Sequence, residues 1–430
     1  MGKKFFKYVS QNILGMIGIS CYLMADTFFI SVSGGADGIT ALNLVLPIYN
    51  LIFAIGSMLG VGAATRYTIL MARKEKHGNA YLSNAVSWTL LSGLVIMLFG
   101  LLFTRRLLLL LGATEEILAY AIPYTRTFLC FTIFFMWNYV FGAFVRNDGD
   151  PSLAMIATLS SNFFNIVFDY ILIFPVGMGM TGAALATGCS PIVGILICSI
   201  HFFKKENHLR IEGLSFSVKK LWESCILGFS AFVSEMASGI TIMVFNFLLL
   251  ALGGNVAVAA YGIVANITLV GGAIFSGISL GCQPLFSESF GAGDKAAQKK
   301  YLTMAMITAI ACSGILLLIL NAFDSPIVSI FNSEGNSSMA AIAVTAVHIY
   351  FIGYLFSSLN VVGCGYFSAV DRPTEAFIIS MARSFVLIVG CAILLAKMIG
   401  INGVWASYPM AEGLTLLIMT AIFLKKRKER

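Results

Sequence analysis

Long apolar segments recur along almost the whole of this chain. A helix needs about 20 mostly apolar residues to cross the hydrocarbon core of a bilayer. Only 11% of the 430 residues are charged, whereas soluble domains have about 25%. The sequence therefore predicts an all-α integral membrane protein with twelve transmembrane helices. The predicted spans are residues 10–33, 40–70, 81–103, 118–145, 152–174, 181–203, 225–251, 257–289, 299–321, 340–368, 375–397 and 403–424.

Positive charges are distributed unevenly between the predicted loops. Nearly all Lys and Arg residues outside the spans lie at the chain ends or after even-numbered spans, for example Lys76 and the tail "KKRKER" (425–430). The opposite loops hold Arg105, Arg106 and Lys397. Because basic loops stay on the cytoplasmic side, we expect a multi-pass protein of the cell membrane with both termini in the cytoplasm. The net charge of +7 is thus a topology signal, and we expect no nucleic-acid partner.

Two short motifs occur once in each half of the chain, in the same order and at nearly the same spacing. "VRNDGDPSLAM" (145–155) resembles "FSAVDRPTEAF" (367–377), and "GMTGAALAT" (179–187) resembles "GINGVWASY" (400–408). Two six-helix repeats of equal orientation predict two lobes about a central cavity, as in many secondary transporters. The predicted division is an N-terminal lobe at 1–203, a cytoplasmic linker at 204–222 and a C-terminal lobe at 223–430.

The sequence contains no motif for nucleotide hydrolysis. "GAGDK" (291–295) lacks both the spacing and the Ser or Thr of a phosphate-binding loop. The nine cysteines show no CxxC or Cys/His metal spacing. We therefore expect no enzyme activity and no cofactor, and a pump of this kind would draw its energy from an ion gradient.

Polar residues within the membrane spans mark a candidate cation site in the N-terminal half. Asp26 lies in the first span, Asn165 and Asp169 in the fifth, and Thr187 in the sixth. Asn165 and Asp169 are four residues apart and share a helix face, and at about 1.5 Å per residue all four lie in one layer. Two carboxylates, an amide oxygen and a hydroxyl predict a cation-coupling site for H⁺ or Na⁺. The alternative is four unrelated polar residues with local hydrogen bonds.

The second repeat lacks this polar set. It has Leu387 and Cys391 at the positions that correspond to the fifth-span pair. Instead, the C-terminal lobe places Glu235, Arg383 and Glu412 within spans. Either an Arg–Glu ion pair stabilises this lobe, or the carboxylates attract cations to a cavity wall.

The substrate cavity is predicted from polar and amphipathic side chains within spans, because such groups avoid lipid. Most of the 35 Phe, 15 Tyr and 19 Met residues are expected to face lipid or the protein core. Surfaces rich in aromatic rings and Met suit flat organic cations through dispersion and cation–π contact. The candidate cavity residues are Tyr22, Tyr49, Asn50, Trp137, Asn138, Glu235, Gln283, Tyr354, Arg383 and Glu412.

Four motifs resemble those of the multidrug and toxic compound extrusion (MATE) family, in particular its bacterial and archaeal members. The resemblance extends over essentially the whole chain. It implies a proton- or sodium-driven drug exporter whose two six-helix lobes form a V-shaped central cavity. The motifs are "DTFFISVSGGADGITALNLVLPI" (26–48), "VRNDGDP" (145–151), "GCQPLFSESFGAGD" (281–294) and "GVWASYPMAE" (403–412).

The resemblance also carries over residue by residue in the N-terminal lobe. The first-span Asp of the family is similar to Asp26, its Asn-x-x-x-Asp pair to Asn165 and Asp169, and its sixth-span Thr to Thr187. The span-seven Glu of some branches lies about one turn after Glu235. A cation role for Glu235 therefore does not follow from the resemblance.

These observations favour a secondary active antiporter that exports amphipathic organic cations in exchange for H⁺ or Na⁺ by alternating access. The alternative is a flippase for lipid-linked or polysaccharide precursors. Anionic substrates of that kind call for Arg or Lys in the cavity, whereas the predicted cavity has an excess of carboxylates. The expected partners are amphipathic drugs or dyes and membrane lipid, and we expect a monomer.

Overall fold

The structure is a computed structural model that describes residues 1–75, 77–331 and 336–428. Lys76 and the last two residues of the basic tail lie outside this part. The spans are helical because a helix satisfies all of its backbone hydrogen bonds internally, as lipid requires. The helices are α1 (Gly2–Ala72), α2 (Asn79–Leu110), α3 (Glu115–Leu129), α4 (Thr132–Asn147), α5 (Pro151–Ile173), α6 (Gly179–Ser199), α7 (Val218–Gly291), α8 (Lys295–Ala322), α9 (Asp324–Phe331), α10 (Ser337–Tyr350), α11 (Gly353–Ala369), α12 (Pro373–Met381), α13 (Leu387–Ile399) and α14 (Ile401–Lys428).

Two of these helices run through two spans each and break at a glycine. α1 breaks at Gly35 (φ 57°, ψ −147°) and α7 at Gly254 (φ 62°, ψ −159°), in a region that a side chain disfavours. Two other spans are bent pairs, α3 with α4 at 49° and α10 with α11 at 50°. A π-helical segment, Ala382–Val386, joins α12 to α13. With both breaks counted, the described residues form the twelve predicted spans.

Several helices extend past their predicted spans at the end of the bundle that carries both chain termini. α1 begins at Gly2 and α7 at Val218, whereas the apolar pattern starts near residues 10 and 225. Hydropathy marks only the residues that match the hydrocarbon core, and a helix continues into the polar interface. We call this end the basic end; its described loop residues are 73–75, 77–78, 148–150, 204–217, 292–294 and 370–372.

The internal repeat is visible in the local geometry of each half. Pro151 and Pro373 are the first residues of α5 and α12, where the missing N–H of Pro has no helical partner to lose. Gly182 and Gly403 form a second matched pair. A Cβ on either glycine would collide with the backbone of the preceding helix. Each of the two helical hairpins therefore depends on a glycine for its close packing.

Separate apolar cores fill the two halves of the molecule. In the N-terminal half, one buried cluster surrounds Phe128 and another surrounds Phe144. In the C-terminal half, the largest cluster surrounds Trp405. A mixed cluster joins the halves and contains both Tyr8 of α1 and Phe286 of α7. This arrangement agrees with the predicted two-lobe architecture.

Close packing and ion pairs join the two lobes at the basic end. A Cβ on Gly62 or on Gly228 would collide with the backbone of the opposite lobe, so the helices touch directly here. Gln283 of α7 also donates to the hydroxyl of Thr65 in α1. We call the three inter-lobe ion pairs between described residues the clamp. They are Lys4–Glu288 at 2.6 Å, Arg66–Asp371 at 3.2 Å and Arg66–Glu223 at 3.5 Å.

The linker between the lobes is docked on the first turns of α2. The Asn79 side-chain oxygen accepts from the Arg210 backbone N–H at 3.1 Å. Two residues along the linker, the Ser83 hydroxyl accepts from the Glu212 N–H at 2.8 Å. Because its backbone groups are held by α2, residues 204–217 are attached to the N-terminal lobe and do not form a free tether.

Candidate functional site

The four residues of the predicted cation site come from three neighbouring helices of the N-terminal lobe. Asp26 lies on α1, Asn165 and Asp169 on α5, and Thr187 on α6. Their exposed fractions are 6%, 0%, 0% and 2%. The face of α5 that carries the Asn–Asp pair therefore points into the protein and not at lipid.

The Asn165 side chain connects the other members of the site. In the amide orientation that gives both of its polar atoms a complementary partner, its nitrogen donates to Asp169 Oδ2 at 3.1 Å. Its oxygen then accepts from the Thr187 hydroxyl and backbone N–H, both at 3.2 Å. The carboxyl groups of Asp26 and Asp169 lie within hydrogen-bonding range of each other. The structure thus brings all four side chains together.

Each of the two carboxyl groups retains an unsatisfied oxygen. Oδ1 of Asp26 and Oδ1 of Asp169 are buried and have no hydrogen-bond partner among the described residues. Leaving such an oxygen unpaired costs free energy, and two carboxylates in contact do not both stay ionised without a proton or cation between them. Two carboxylates, an amide oxygen and a hydroxyl form an all-oxygen set that fits H⁺ or a small hard cation.

A cluster of aromatic rings lies beside this site in the N-terminal lobe. The hydroxyl oxygens of Tyr49 and Tyr124 are 2.6 Å apart, and both tyrosines are within electrostatic range of Asp26. Tyr49 stacks on Phe128 with the ring centroids 3.7 Å apart. Tyr49 is therefore fixed by its neighbours and forms a rigid wall of the site.

Glu235 of α7 lies within electrostatic range of tyrosines of the opposite lobe. Tyr22, one turn before Asp26 on α1, interacts electrostatically with Glu235 and with both site carboxylates. Tyr139 of α4 also interacts with Glu235. A carboxylate of the C-terminal lobe and two tyrosines of the N-terminal lobe therefore lie within electrostatic range of one another. Tyr124 and Tyr139 are not among the residues predicted from the sequence, although both are phenols within a span, as Tyr49 is.

Trp137 and Tyr354 are among the predicted cavity residues that lie inside a lobe instead. Trp137 Nε1 donates to the Val86 carbonyl oxygen at 3.2 Å, which ties α4 to α2. Tyr354 is 1% exposed and donates to the Ile267 carbonyl oxygen at 3.2 Å. Their polar atoms bond to backbone within the lobe, a common fate of Trp and Tyr in buried positions.

The three predicted amide residues of the cavity have different surroundings. Gln283 is 3% exposed and donates to the Val61 carbonyl oxygen at 3.1 Å, so it belongs to the contact between the lobes at the basic end. Asn138 packs against Gly194 within the N-terminal lobe. Asn50 is half-buried on α1 and its amide approaches Gly239 of α7. Among these three, Asn50 lies where α1 and α7 approach each other away from the basic end.

Arg383 and Glu412 form a buried ion pair within the C-terminal lobe. Arg383 Nη2 lies 2.7 Å from Glu412 Oε1 and also donates to the Ser357 hydroxyl at 3.0 Å. Asn360 donates to Glu412 Oε2 at 2.7 Å and to its backbone oxygen at 2.8 Å. This geometry corresponds to the ion-pair alternative, because the guanidinium and the carboxylate are committed to each other.

The first repeat makes a neutral contact where the second has this ion pair. Counting along the repeats from Pro151 and Pro373, Ser161 corresponds to Arg383 and Ser190 to Glu412. The Ser161 hydroxyl donates to the Ser190 carbonyl oxygen at 2.6 Å. At this place each lobe therefore joins its two corresponding helices through a polar contact, and that contact carries charge in the second lobe only.

Comparison with known proteins adds evidence from sequence. The MatE family model matches residues 12–171 and 231–393. The multidrug export protein MepA of Staphylococcus saprophyticus is 26% identical over 422 residues, which cover 96% of this chain and 91% of that protein. MepA of Staphylococcus haemolyticus is 28% identical over 425 residues, which cover 96% of this chain and 90% of that protein.

Solved structures share the fold. A multidrug resistance MATE family transporter of the MOP superfamily in an outward-facing conformation matches with a TM-score of 0.92 and 21% identity, covering 99% of this chain and 95% of that one. A MOP superfamily transporter from Pyrococcus furiosus matches with a TM-score of 0.91 and 22% identity, covering 99% of this chain and 95% of that one. The two segments that match the family model fall one in each lobe and together make up well over half of the sequence. The chain therefore belongs to the MATE (MatE) family.

Proposed function

We propose that this protein exports amphipathic organic cations in exchange for H⁺ or Na⁺ by alternating access. Its staphylococcal relatives are named as multidrug export proteins, which supports drug export as the activity. One observation carries the coupling, the buried contact between Asp26 and Asp169 with an unpaired oxygen on each carboxyl group. A site of this kind changes charge when an ion enters or leaves.

Helix α1 connects the proposed coupling site to the contact between the lobes. The first span of α1 carries both Asp26 and Lys4, and Arg66 follows in its second span. Neutralising the two carboxylates removes their mutual repulsion, so α1 and α5 pack more closely. A shift of α1 then strains or relaxes the clamp, and ion entry on one side of the membrane is thereby linked to opening on the other.

The coupling ion has defined partners in this site. A sodium ion would be held by the carboxylates of Asp26 and Asp169 and the hydroxyl oxygen of Thr187, and it would supply the positive charge that the pair lacks. The amide oxygen of Asn165 would join this set after the amide turns, because its nitrogen faces Asp169 in the absence of the ion. A proton would sit on one carboxyl group and bond to the other. The same oxygens serve both ions, and the experiment below separates them.

The gap between the lobes supports a cationic substrate. Glu235 supplies negative charge from the C-terminal lobe, and Tyr22 and Tyr139 supply aromatic faces from the N-terminal lobe. Aromatic faces attract organic cations. A phosphate-bearing precursor would need a free guanidinium, and Arg383 is already paired with Glu412.

Orientation and assembly follow the same proposal. The basic end, with both termini, faces the cytoplasm because the positive-inside rule places Lys- and Arg-rich loops there. The protein then resides in the cell membrane as a monomer, and its lobes separate at the opposite end to release the drug outside.

Ethidium efflux from vesicles that contain the purified protein tests the coupling. A pH gradient and a Na⁺ gradient are imposed separately, so that the gradient that drives efflux identifies the ion. Asp26→Asn and Asp169→Asn each remove a charge that the ion must neutralise. Both variants are expected to lose gradient-driven efflux while they still bind ethidium.

Asp37→Asn is the matched control for these variants, because Asp37 is an exposed carboxylate on the same helix α1. It is expected to transport like the unaltered protein. Efflux at the unaltered rate in Asp26→Asn and Asp169→Asn under both gradients would contradict the coupling role. Loss of ethidium efflux under every gradient in the unaltered protein would contradict drug export itself.

A further inference from the structure

The linker and its flanks, residues 203–222, expose apolar side chains that no other part of the described structure covers. We call this segment the strap. Phe203 is 89% exposed, Leu214 70%, Val218 68% and Trp222 66%. Large exposed apolar patches mark interaction sites with another protein or with a membrane.

The strap holds these side chains outward because its backbone is fixed. The Ser215 N–H donates to the Ser87 hydroxyl at 2.8 Å, and its carbonyl oxygen accepts from the Asn84 amide at 3.0 Å. Phe216 packs edge-on against Trp88, with the ring centroids 5.7 Å apart. With its polar backbone groups bonded to α2, the strap cannot fold its apolar side chains back onto the protein without breaking these bonds.

The strap lies at the level of the membrane interface. Its contacts run along α2 from Asn79 to Trp88, a distance of about 13 Å at about 1.5 Å per residue. α2 has 32 residues and is therefore longer than the roughly 30 Å hydrocarbon core. Asn79 precedes the predicted span 81–103 and Trp88 lies within it, so the strap runs alongside the boundary between the interface and the hydrocarbon core.

Basic side chains alternate with the apolar ones in the strap. Lys205, Arg210 and Lys219 are exposed and Lys220 is half-buried, and none of these four is in an ion pair recorded between described residues. This pattern of apolar and cationic side chains is typical of segments that lie in the plane of a membrane interface.

Acidic side chains do not cancel this positive charge. Glu206 and Glu212 are exposed. These two carboxylates stand against the four basic side chains, so the strap keeps an excess of positive charge. Lys204 does not add to this positive charge, because its ammonium is paired with the Asp150 carboxylate at 2.5 Å. Burial raises the pKa of the Asp150 carboxyl, but hydrogen bonds from Lys204 and the Leu153 N–H outweigh it and lower the pKa overall.

We propose that the strap binds the anionic phospholipid headgroups of the membrane leaflet at the basic end. The cationic side chains contact the headgroups, and Leu214, Val218 and Trp222 enter the boundary with the acyl chains. Juxtamembrane basic residues are attracted to anionic lipid in this way. The proposal concerns a surface outside the transport site and does not depend on the transported substrate.

Tryptophan fluorescence of the full chain in vesicles tests this proposal. Leu214→Trp, in a Trp222→Phe background, adds an indole in the middle of the strap. Its emission is compared in phosphatidylcholine vesicles and in vesicles with added phosphatidylglycerol, with brominated acyl chains as the quencher. We expect the added indole to be quenched, and about twofold more strongly with anionic lipid. Leu110→Trp is the control for an exposed indole outside the strap, because Leu110 is 84% exposed at the opposite end of the bundle.

Charge variants test the role of the basic side chains. Neutralising Lys205, Arg210 and Lys219 to Gln is expected to remove the dependence on phosphatidylglycerol, whereas Arg106→Gln with Lys397→Gln at the opposite end leaves it unchanged. Equal quenching in both kinds of vesicle would overturn the recognition of anionic headgroups. An added indole that aqueous acrylamide quenches and bromolipid does not would overturn the proposal and leave the strap available to a soluble partner.

Discussion

Arg383 and Glu412 show at the scale of single residues how the two repeats differ. Removing one partner of a buried ion pair leaves an uncompensated charge and costs about 3–5 kcal/mol. We therefore expect Arg383→Met and Glu412→Gln each to lower thermal stability strongly in detergent. The double variant is expected to recover most of the loss, because the Ser161–Ser190 contact shows that this architecture tolerates a neutral pair at the same place.

Ethidium efflux by the double variant separates the two roles that the sequence left open for this pair. If the pair only stabilises the C-terminal lobe, the double variant transports while the single variants fail through instability. A double variant that is as stable as the unaltered protein but exports nothing would place the pair on the substrate path.

At the scale of single residues, the sequence predicts which charged residues belong to the site better than it predicts which aromatic residues do. Asp26, Asn165, Asp169 and Thr187 could be selected because an intramembrane carboxylate is costly and the residue spacing fixes a helix face. The tyrosines around them could not be selected reliably. With 15 Tyr and 35 Phe in the chain, an aromatic residue within a span carries little information about which way it faces.

Gly182 determines the spacing of a whole helical hairpin. A Cβ at this position would lie 2.9 Å from the Leu172 carbonyl carbon and oxygen, so α5 and α6 must separate in Gly182→Ala. We expect a loss of roughly 1–3 kcal/mol in stability, typical of overpacking. We also expect loss of coupled efflux, because Asn165 and Thr187 lie on these two helices. Thermal unfolding and gradient-driven efflux measure the two effects.

Two further glycines provide matched controls. Gly142 is helical and a Cβ there would meet nothing within 4 Å, so Gly142→Ala is expected to be neutral or to stabilise by up to about 1 kcal/mol. Gly403→Ala disturbs the equivalent hairpin of the second repeat and is expected to lower stability without a direct effect on the cation site. Unimpaired stability and coupling in Gly182→Ala would show that the hairpin tolerates a wider spacing.

Hydropathy predicts that helices exist, but it does not predict their breaks or their full lengths. The twelve spans follow from apolar segments of sufficient length. The bends within the fourth and tenth spans lie in continuous apolar sequence and leave no mark on hydropathy. The additional turns of α1 and α7 lie in polar sequence, where only packing against the other lobe indicates a helix.

The clamp joins the lobes of the whole molecule, and its loss is expected to favour separation at the basic end. Arg66→Gln removes two of the three ion pairs, each worth at most about 1 kcal/mol because the side chains are partly exposed. Cys282 lies in the buried cluster that joins the lobes, with 0% exposure. We expect its alkylation by N-ethylmaleimide to accelerate about fivefold, as measured by mass spectrometry.

Arg105→Gln is the control for this experiment. Arg105 pairs with Glu115 at 2.6 Å within the N-terminal lobe at the opposite end, so its loss is not expected to affect Cys282. An unchanged alkylation rate in both Arg66→Gln and its combination with Lys4→Gln would show that the apolar contacts alone hold the lobes together.

The architecture of two lobes could be predicted from the repeated motifs, but the clamp could not. Arg66, Glu223 and Asp371 are far apart in sequence and follow no periodic pattern. Asp371 adopts a positive φ of 58°, and its counterpart in the first repeat, Gly149, also has a positive φ of 99°. The second repeat thus has an acidic side chain at a turn where the first has glycine, and this difference supplies one of the ion pairs of the clamp.

The two carboxylates of the N-terminal site also limit the drug gradient that the proposed exchange can maintain. A monovalent drug exchanged for one monovalent ion moves no net charge, so the membrane potential contributes nothing. If each carboxylate is neutralised by its own ion, two positive charges enter in each cycle and one leaves with the monovalent drug. The net movement is then one positive charge inward per drug molecule. The potential then adds about 2.3 kcal/mol per 100 mV, a concentration ratio of about fifty. For a divalent drug the same cycle is electrically neutral. The paired carboxylates therefore make the valence of the drug a determinant of how steep a gradient the exporter can hold.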